Sequence, residues 1–317
     1  MVKEWRTLAG AGKARAVFDV FAASALRATL AGGPSSRLTH GLALIFLVHA
    51  ELLFAQPAPL EGAELHEYKR VGETSLHLHV FAPEGHRASD QRPAILFFSG
   101  GAWVAQSTGY FHRQCRDLAA RGMVTVAVEY RVQRSHGTTP FENVEDAKSA
   151  IRWVRSNAAR LGVAKSRIAA AGDSAGGHLA VAAALVEGFE GDGEALMVRS
   201  TPDALVLFAP ILDTGPDGFG HERVKPRWRE VSPIHNIAGP TPPMVIFLGA
   251  EDRVVPINGV REFKRLIEDA GGRADLQIYA GQGHGFVLSS HEHYQQTTLE
   301  TVRFLTSLGW LDETAVH

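Results

Sequence analysis

The sequence is nearly devoid of cysteine and carries no excess of charge of either sign. Cys115 is the only cysteine among 317 residues, which excludes an intramolecular disulfide and a cysteine-rich zinc site. The 32 lysines and arginines balance 34 acidic residues without a basic stripe, so we expect no nucleic-acid partner. With 45% hydrophobic and 21% charged residues, the chain can form a packed globular core.

A hydrophobic run near the N-terminus is too short to span a membrane. Residues 41–50 (GLALIFLVHA) have the length of the apolar region of a signal peptide, although 40 residues precede them. We therefore predict an N-terminal extension over residues 1–56 that carries a candidate signal peptide, and export to the periplasm or beyond. The alternative is that the run is an ordinary buried helix of a cytoplasmic protein. The folded domain is predicted over residues 57–317.

Within that domain, short apolar runs alternate with segments of helical periodicity. Residues 74–81 alternate with period two, which predicts a half-buried edge strand. Continuous apolar runs, typical of parallel strands buried on both faces, occupy residues 94–98, 124–128, 168–171, 204–208 and 244–248, and a last strand is predicted at 276–279. Helices are predicted at residues 111–121, 144–160, 175–187, 260–270 and 294–308. This alternation indicates an α/β fold with a mostly parallel, twisted sheet and helices on both faces.

The strongest local motif is GDSAGG at residues 172–177, which lies between a predicted strand and a predicted helix. A strand–turn–helix of this kind forms a nucleophile elbow, in which a serine is held in a strained conformation at a sharp turn. Ser174 is therefore the predicted nucleophile. The N–H of Ala175, at the positive end of the following helix, is a candidate donor to a developing oxyanion.

Asp252 and His284 supply the acid and the base that a serine nucleophile requires. They follow the predicted strands 244–248 and 276–279, so both fall at the carboxyl edge of the sheet, as does Ser174. Their order, serine then acid then histidine, is the order of this fold. Glu251 is the rival acid if the loop is shifted by one residue.

The other histidines have simpler interpretations. His178 lies one turn after Ser174 on the same helix and is expected to pack rather than to catalyse. His77 and His79 share one strand face but have no third ligand nearby in sequence, so we expect no metal site.

These motifs resemble the α/β-hydrolase superfamily, and within it the hormone-sensitive-lipase-like and the acetyl-xylan or feruloyl esterase-like bacterial esterases. The resemblance covers about residues 64–312. The glycine-rich turn at residues 99–103 (SGGAW) is similar to the family's HGGG-type motif, and residues 172–177 match its GDSAGG elbow. By position, the resemblance implies an oxyanion hole formed by the backbone N–H groups of Gly101, Ala102 and Ala175.

The SGGAW turn departs from the family motif at two positions. Ser99 replaces a histidine and Ala102 replaces a glycine. A backbone donor survives both changes, provided that Ala102 keeps a negative φ. The Gly- and Pro-rich segment 212–243 is predicted to be a compact loop rather than a helical lid, which implies little or no cap and an open, shallow site.

The resemblance implies a serine carboxylic-ester hydrolase that forms an acyl-enzyme and needs no cofactor or metal. The expected substrates are short-acyl esters, either small molecules or acetyl and feruloyl groups on polysaccharide. Three alternatives share the fold: a serine peptidase, which would normally carry a propeller domain, a dienelactone hydrolase, which would normally have cysteine in the elbow, and a non-catalytic ligand-binding homologue, which would normally have lost a triad member.

Overall fold

The computed structural model describes residues 58–312, whose central element is one eight-stranded sheet. The predicted extension 1–56 and its candidate signal peptide lie outside the described residues. The strands are β1 (Glu64–Val71), β2 (Thr74–Phe81), β3 (Arg92–Phe98), β4 (Val124–Val128), β5 (Val163–Asp173), β6 (Ala204–Phe208), β7 (Met244–Gly249) and β8 (Ala274–Tyr279). They are arranged in the order β1-β2-β4-β3-β5-β6-β7-β8. Strands β1 and β2 are antiparallel to their neighbours, and all other pairs are parallel, as predicted.

Helices cover both faces of the sheet. They are α1 (His112–Ala120), the single turn α2 (Gln133–His136), α3 (Pro140–Ser156), α4 (Ala175–Leu185), α5 (Ile257–Asp269) and α6 (His291–Ser307). Because successive side chains of a strand point to opposite faces, Leu96 of β3 contributes to a core with residues of α3, α4 and α5. Its neighbour Ile95 contributes to a second core with residues of α1 and α6. The predicted fold class is confirmed.

The prediction that residues 74–81 form an edge strand is wrong. Strand β2 lies between β1 and β4, and its last six residues are buried. The polar residues that alternate with apolar ones in β2 include His77 and His79, whose imidazoles form hydrogen bonds inside the protein rather than with water. Both rings contact the carboxylate of Glu129, through His77 Nδ1 at 3.0 Å and His79 Nε2 at 3.2 Å.

Helix α3 begins four residues before the start that apolar periodicity predicted. Its first turn is polar and is stabilised by capping, with Pro140 at the N-terminus and Thr139 and Glu142 forming a capping box. Capping residues do not follow the apolar periodicity of a helix. Apolar periodicity therefore places the start of this helix at Val144, after the capping residues.

The segment 212–243 is a compact loop, as predicted. Within the described residues it contains three 3₁₀ turns, His221–Arg223, Trp228–Val231 and Pro233–His235, and no α-helix. It therefore forms no helical lid over the carboxyl edge of the sheet.

Candidate active site

Ser174 occupies the turn between β5 and α4 in a strained backbone conformation. Its φ is 53° and its ψ is −116°, a region that non-glycine residues rarely adopt. The flanking glycines make this turn sterically possible. A Cβ on Gly172 would lie 2.3 Å from the carbonyl carbon of Gly176, and a Cβ on Gly176 would lie 2.0 Å from the carbonyl oxygen of Phe98. The turn thus presents the Ser174 hydroxyl at the carboxyl edge of the sheet.

The structure brings the three predicted residues into one chain of hydrogen bonds. Nε2 of His284 is 2.9 Å from Oγ of Ser174, and its Nδ1 is 2.8 Å from Oδ2 of Asp252. Two backbone bonds join the loops that carry the acid and the imidazole, from Ala250 N–H to Tyr279 O and from Glu251 N–H to Gln282 O. The loops after β7 and β8 therefore position the imidazole together.

Asp252, and not Glu251, is the carboxylate that contacts the imidazole. The Asp252 side chain is fully buried and forms the ion pair with His284, whereas Glu251 is exposed. Oδ1 of Asp252 accepts the N–H groups of Val254 and Val255, both at 2.8 Å. Burial by itself would raise the pKa of Asp252, but the bonds from His284 and these amides outweigh it and lower the pKa. Asp252 is therefore held as an anion.

His284 remains accessible from solvent, with its side chain 26% exposed. Partial burial lowers the pKa of the imidazole, but the hydrogen bond and charge of Asp252, with a smaller contribution from Asp173, reverse the effect and raise it. The Asp252 carboxylate can only accept a hydrogen bond from Nδ1–H, which leaves Nε2 as the acceptor that faces the Ser174 hydroxyl.

The glycine-rich turn after β3 lies directly against the elbow. A Cβ on Gly100 would be only 3.3 Å from the Cβ of Ser174. The Ser99 hydroxyl, which stands where the family motif has histidine, accepts the N–H of Ser107 at 3.1 Å, and the Ser99 carbonyl accepts the Tyr130 hydroxyl at 2.7 Å. Ser99 thus connects the turn to Ser107 through its side chain and to Tyr130 through its carbonyl.

The condition of a negative φ at Ala102 is not met, yet the N–H of Ala102 has no protein acceptor within residues 58–312. The φ of Ala102 is 54°, after 133° at Gly101. The loop must fold back sharply here, because the N–H groups of Val104 and Ala105 both bond to the carbonyl of Gly101. Alanine tolerates this left-handed geometry at a cost of roughly 1–2 kcal/mol, since its side chain is only a methyl group.

The three predicted donor groups are the backbone N–H groups of Gly101, Ala102 and Ala175. Within residues 58–312, no protein acceptor bonds the N–H of Gly101 or Ala102. Ala175 is the first residue of α4, so its N–H has no partner inside the helix. These amides are available to an oxygen bound beside Ser174.

Sequence reasoning missed Asp173 and Tyr110 as residues of this site. Asp173 is buried, its Oδ2 accepts the Tyr110 hydroxyl at 3.0 Å, and its Oδ1 has no hydrogen-bond partner within the described residues. Burial raises the pKa of Asp173 to about 6, against the opposing charge of His284. The position of Asp173 beside the nucleophile was a visible signal, but nothing local in the sequence connects Tyr110, more than sixty residues away, to the elbow.

Known proteins match this chain over the same elements. The BD-FAE family model matches residues 78–214, which include Ser174, and the dienelactone hydrolase family model matches residues 226–312, which include Asp252 and His284. The chain is 31% identical to esterase LipC of Mycobacterium tuberculosis over 228 residues, which are 62% of this chain and 53% of LipC. It spans about half the length of the curated relatives it matches.

Solved structures match more completely. Thermogutta terrifontis esterase 2 phosphoramylated by tabun superimposes with a TM-score of 0.77 at 39% identity, over 81% of this chain and 99% of that one. The butyrate-bound form of that esterase gives a TM-score of 0.76 at 38% identity, over 80% of this chain and 96% of that one.

A mostly parallel sheet with a serine, a histidine and an aspartate joined at its carboxyl edge defines an α/β hydrolase. With the match to the Thermogutta esterase along nearly its whole length, the chain belongs to the esterases of the α/β-hydrolase family. Among residues 58–312, no helix is both long and apolar enough to cross a lipid bilayer.

Proposed function

We propose that the protein is a serine carboxylic-ester hydrolase, with Ser174 as nucleophile, His284 as general base and Asp252 as the orienting acid. The observation that carries the proposal is the chain of two hydrogen bonds, 2.9 Å from His284 to Ser174 and 2.8 Å from His284 to Asp252. Both lengths lie within the range expected of a nucleophile, its base and the group that orients the base.

The reaction proceeds in two acyl-transfer steps. Oγ of Ser174 attacks the ester carbonyl while Nε2 of His284 takes the hydroxyl proton, and the carbonyl oxygen becomes an oxyanion. The amides of Gly101, Ala102 and Ala175 are the donors for that oxyanion. The imidazolium then protonates the leaving alcohol, the carbon–oxygen bond breaks, and an acyl-enzyme remains. Water, deprotonated by His284, then adds to the acyl carbonyl. The bond to Oγ breaks, the imidazolium returns its proton to Ser174, and the acid is released.

The substrates we propose are esters of short acyl groups. The loop 212–243 is not a helical lid, and the His284 ring is open to solvent, so the site suits water-soluble esters better than long lipid chains. The butyrate-bound structure of the Thermogutta esterase supports the same acyl size. Acetyl or feruloyl groups on polysaccharide are the natural substrates we favour, since an open site admits a bulky leaving group.

The first experiment replaces the nucleophile. Ser174→Ala should lower kcat for p-nitrophenyl acetate by about 10⁴-fold or more, because the covalent step is lost. A fluorophosphonate probe should label the wild-type chain at Ser174 and leave the variant unlabelled. Ser89→Ala, at an exposed loop serine, is the matched control and should keep full activity and labelling. Near-normal turnover by Ser174→Ala would refute the assignment, and an unlabelled, inactive wild type would favour a ligand-binding protein.

The acyl specificity is tested with acetyl, butyryl, octanoyl and feruloyl esters and acetylated xylan, compared side by side on the wild-type enzyme. We expect the acetyl and butyryl esters to have higher kcat/KM than longer acyl chains. A preference that rises with chain length beyond butyryl would contradict an open, short-acyl site.

We also propose that the protein is exported, on the apolar run at residues 41–50 alone. The N-terminus of the protein isolated from its native host, determined by mass spectrometry, tests this. Processing after Ala50 or Ala55 is the expected result, and an intact Met1 would overturn it.

A further inference from the structure

The turn that carries the candidate oxyanion donors holds two consecutive non-glycine residues in the left-handed region. The φ of Ala102 is 54° and that of Trp103 is 59°. Such conformations persist only where the surrounding structure enforces them. The contacts of Trp103 show what enforces them here.

The indole of Trp103 is buried, and its one polar atom has a specific partner. The side chain is 1% exposed, and Nε1–H donates to Nδ1 of His178 over 3.2 Å. The two rings meet edge to face, with their centroids 5.1 Å apart and their planes at 85°. His178 belongs to α4, and its own N–H bonds to the carbonyl of Ser174 at 3.0 Å. One side-chain bond therefore connects the donor turn to the helix that follows the nucleophile.

The protonation state of His178 is determined by its two partners. Nε2 lies 2.6 Å from the carbonyl oxygen of Val231, which only accepts hydrogen bonds, so Nε2 carries the proton. Nδ1 is then a lone-pair acceptor, as the Trp103 N–H requires. Burial lowers the pKa of His178 to about 4, so the ring is neutral at neutral pH. In a protonated ring, the Nδ1–H of His178 would face the Nε1–H of Trp103, and neither group could accept a hydrogen bond.

The loop 212–243 also contacts this turn, at both Ala102 and Trp103. The ring centroid of Phe219 is 5.8 Å from that of Trp103, and a Cβ on Gly220 would lie 2.7 Å from the indole. Arg223 donates from Nη1 to the carbonyl of Ala102 at 2.6 Å. Together with the bond from His178 to Val231, these contacts fix Trp103 between α4 and this loop.

We propose that Trp103 and His178 form a positioning pair that holds the amides of Gly101 and Ala102 in register with Ser174. The pair acts through the backbone of the turn and does not touch the substrate. This inference rests on the proposed function, since it concerns the transition state of the same acyl transfer. It predicts that the pair contributes to kcat, because a shift of the donors by a fraction of an ångström weakens bonds to the oxyanion more than it weakens ground-state binding.

The test removes the hydrogen bond and keeps the aromatic ring. Trp103→Phe should lower kcat for p-nitrophenyl acetate by about 10- to 100-fold and change KM by less than about threefold. The inhibition constant of a boronic acid, which forms a tetrahedral anion on Ser174, should rise by a similar factor. The inhibition constant of butyrate should not change. Trp310→Phe, which alters an indole that lines a cavity with Arg92 and Pro93 at the start of β3, is the matched control and should leave all four values unchanged.

The second position gives an independent test. His178→Leu removes both hydrogen bonds and should reproduce the loss of kcat, whereas His178→Gln can accept and donate and should recover part of it. Because the two residues act as one unit, the double variant Trp103→Phe/His178→Leu should lose little more than either single variant. Additive losses, or losses that accompany a smaller folded fraction in circular dichroism, would show a merely structural role and overturn the inference.

The wild-type chain provides a further readout that does not depend on any variant. Binding of the boronic acid should shift the indole N–H resonance of Trp103 in a ¹⁵N-correlated NMR spectrum, and an unshifted resonance would count against the pair. A wild type that is labelled by fluorophosphonate, together with an unchanged kcat in Trp103→Phe, would overturn this inference alone. A wild type that is neither labelled nor active would overturn the proposed function, and the inference with it.

Discussion

At the scale of single residues, two adjacent carboxylates differ in one decisive contact. Asp252 accepts a hydrogen bond from His284, whereas Glu251, one position earlier, is exposed, and its N–H donates to the carbonyl of Gln282. Placement after a strand favoured Asp252 but could not exclude Glu251. Only the path of the loop between β7 and α5 decided which carboxylate faces the imidazole.

Replacing each carboxylate by its amide separates the two candidates. Asp252→Asn should lower kcat by about 10³- to 10⁴-fold, because the asparagine N–H₂ would donate to Nδ1 and leave the imidazole proton on the nitrogen that faces Ser174. Glu251→Gln is the matched control and should change kcat by less than about twofold. Steady-state kinetics with p-nitrophenyl acetate measures both, and equal losses in the two variants would contradict the assignment.

Asp173 is expected to affect the pH dependence of the reaction. Its pKa is about 6, so it is charged at neutral pH, and its charge adds to that of Asp252 in raising the pKa of His284. His284 must be neutral to act as a base, so activity is present above its pKa and is lost as the pH falls through it. A neutral side chain at position 173 should lower that pKa and move the loss of activity to lower pH.

This expectation is checked by the profile of kcat/KM against pH for Asp173→Asn, which keeps the shape of the side chain. The acid limb should move to lower pH than in the wild type. Asp192→Asn, at an exposed loop aspartate, should leave the limb where it is. A shift to higher pH in Asp173→Asn would mean that its charge does not act on His284.

At the scale of secondary-structure elements, the elbow depends on how closely β3, β5 and α4 approach one another. Gly176 packs against the carbonyl of Phe98, and a Cβ there would lie 2.0 Å from that oxygen. Gly259, in α5, has open space where a Cβ would be. Both glycines are in helices, but there is room for a methyl group at Gly259 and none at Gly176.

Alanine substitutions at these two glycines should change stability in opposite directions. Gly176→Ala should lower the free energy of unfolding by roughly 1–3 kcal/mol, because backbone must move to admit the methyl group. Gly259→Ala should raise it by roughly 0.5–1 kcal/mol, through reduced backbone entropy in the unfolded chain. Urea unfolding followed by circular dichroism measures both. A neutral Gly176→Ala would show that the elbow can relax.

The strands were largely predictable as elements, but their neighbours were not. The apolar runs at residues 94–98, 124–128, 204–208 and 244–248 coincide with or lie within β3, β4, β6 and β7, because burial on both faces requires continuous apolar sequence. The alternation of β2 is equally clear, yet it predicts an edge strand, whereas β2 lies between β1 and β4. Its polar face is buried against Glu129, a partner that lies some fifty residues away in sequence.

At the scale of the whole molecule, one sheet carries both cores and the candidate site within residues 58–312. The predicted boundary between residues 56 and 57 lies shortly before Leu60. The N–H of Leu60 bonds to Nδ1 of His79 at 3.0 Å, and its side chain packs against the second core with that of Ala63.

Two truncations test that boundary. Removal of residues 1–56 should leave kcat and the free energy of unfolding close to those of the full chain, because the contacts of Leu60 are retained. Removal of residues 1–63 should lower the free energy of unfolding by roughly 1–3 kcal/mol, through loss of the bond to His79 and of apolar burial. Urea unfolding distinguishes the two. Equal destabilisation by both truncations would place the boundary of the folded domain earlier in the chain.

The sequence by itself determined the fold class, the serine at the elbow and the histidine after the last strand, because each depends on a local pattern of residues whose spacing reflects backbone geometry. It left the acid open between Asp252 and Glu251, and the structure decided for Asp252. Tertiary structure alone decided the left-handed turn at Ala102, the pairing of Tyr110 with Asp173, and the contact of His178 with Trp103. These features join segments distant in the chain, and burial and hydrogen-bond partners across such distances arise only when the strands and loops have packed together.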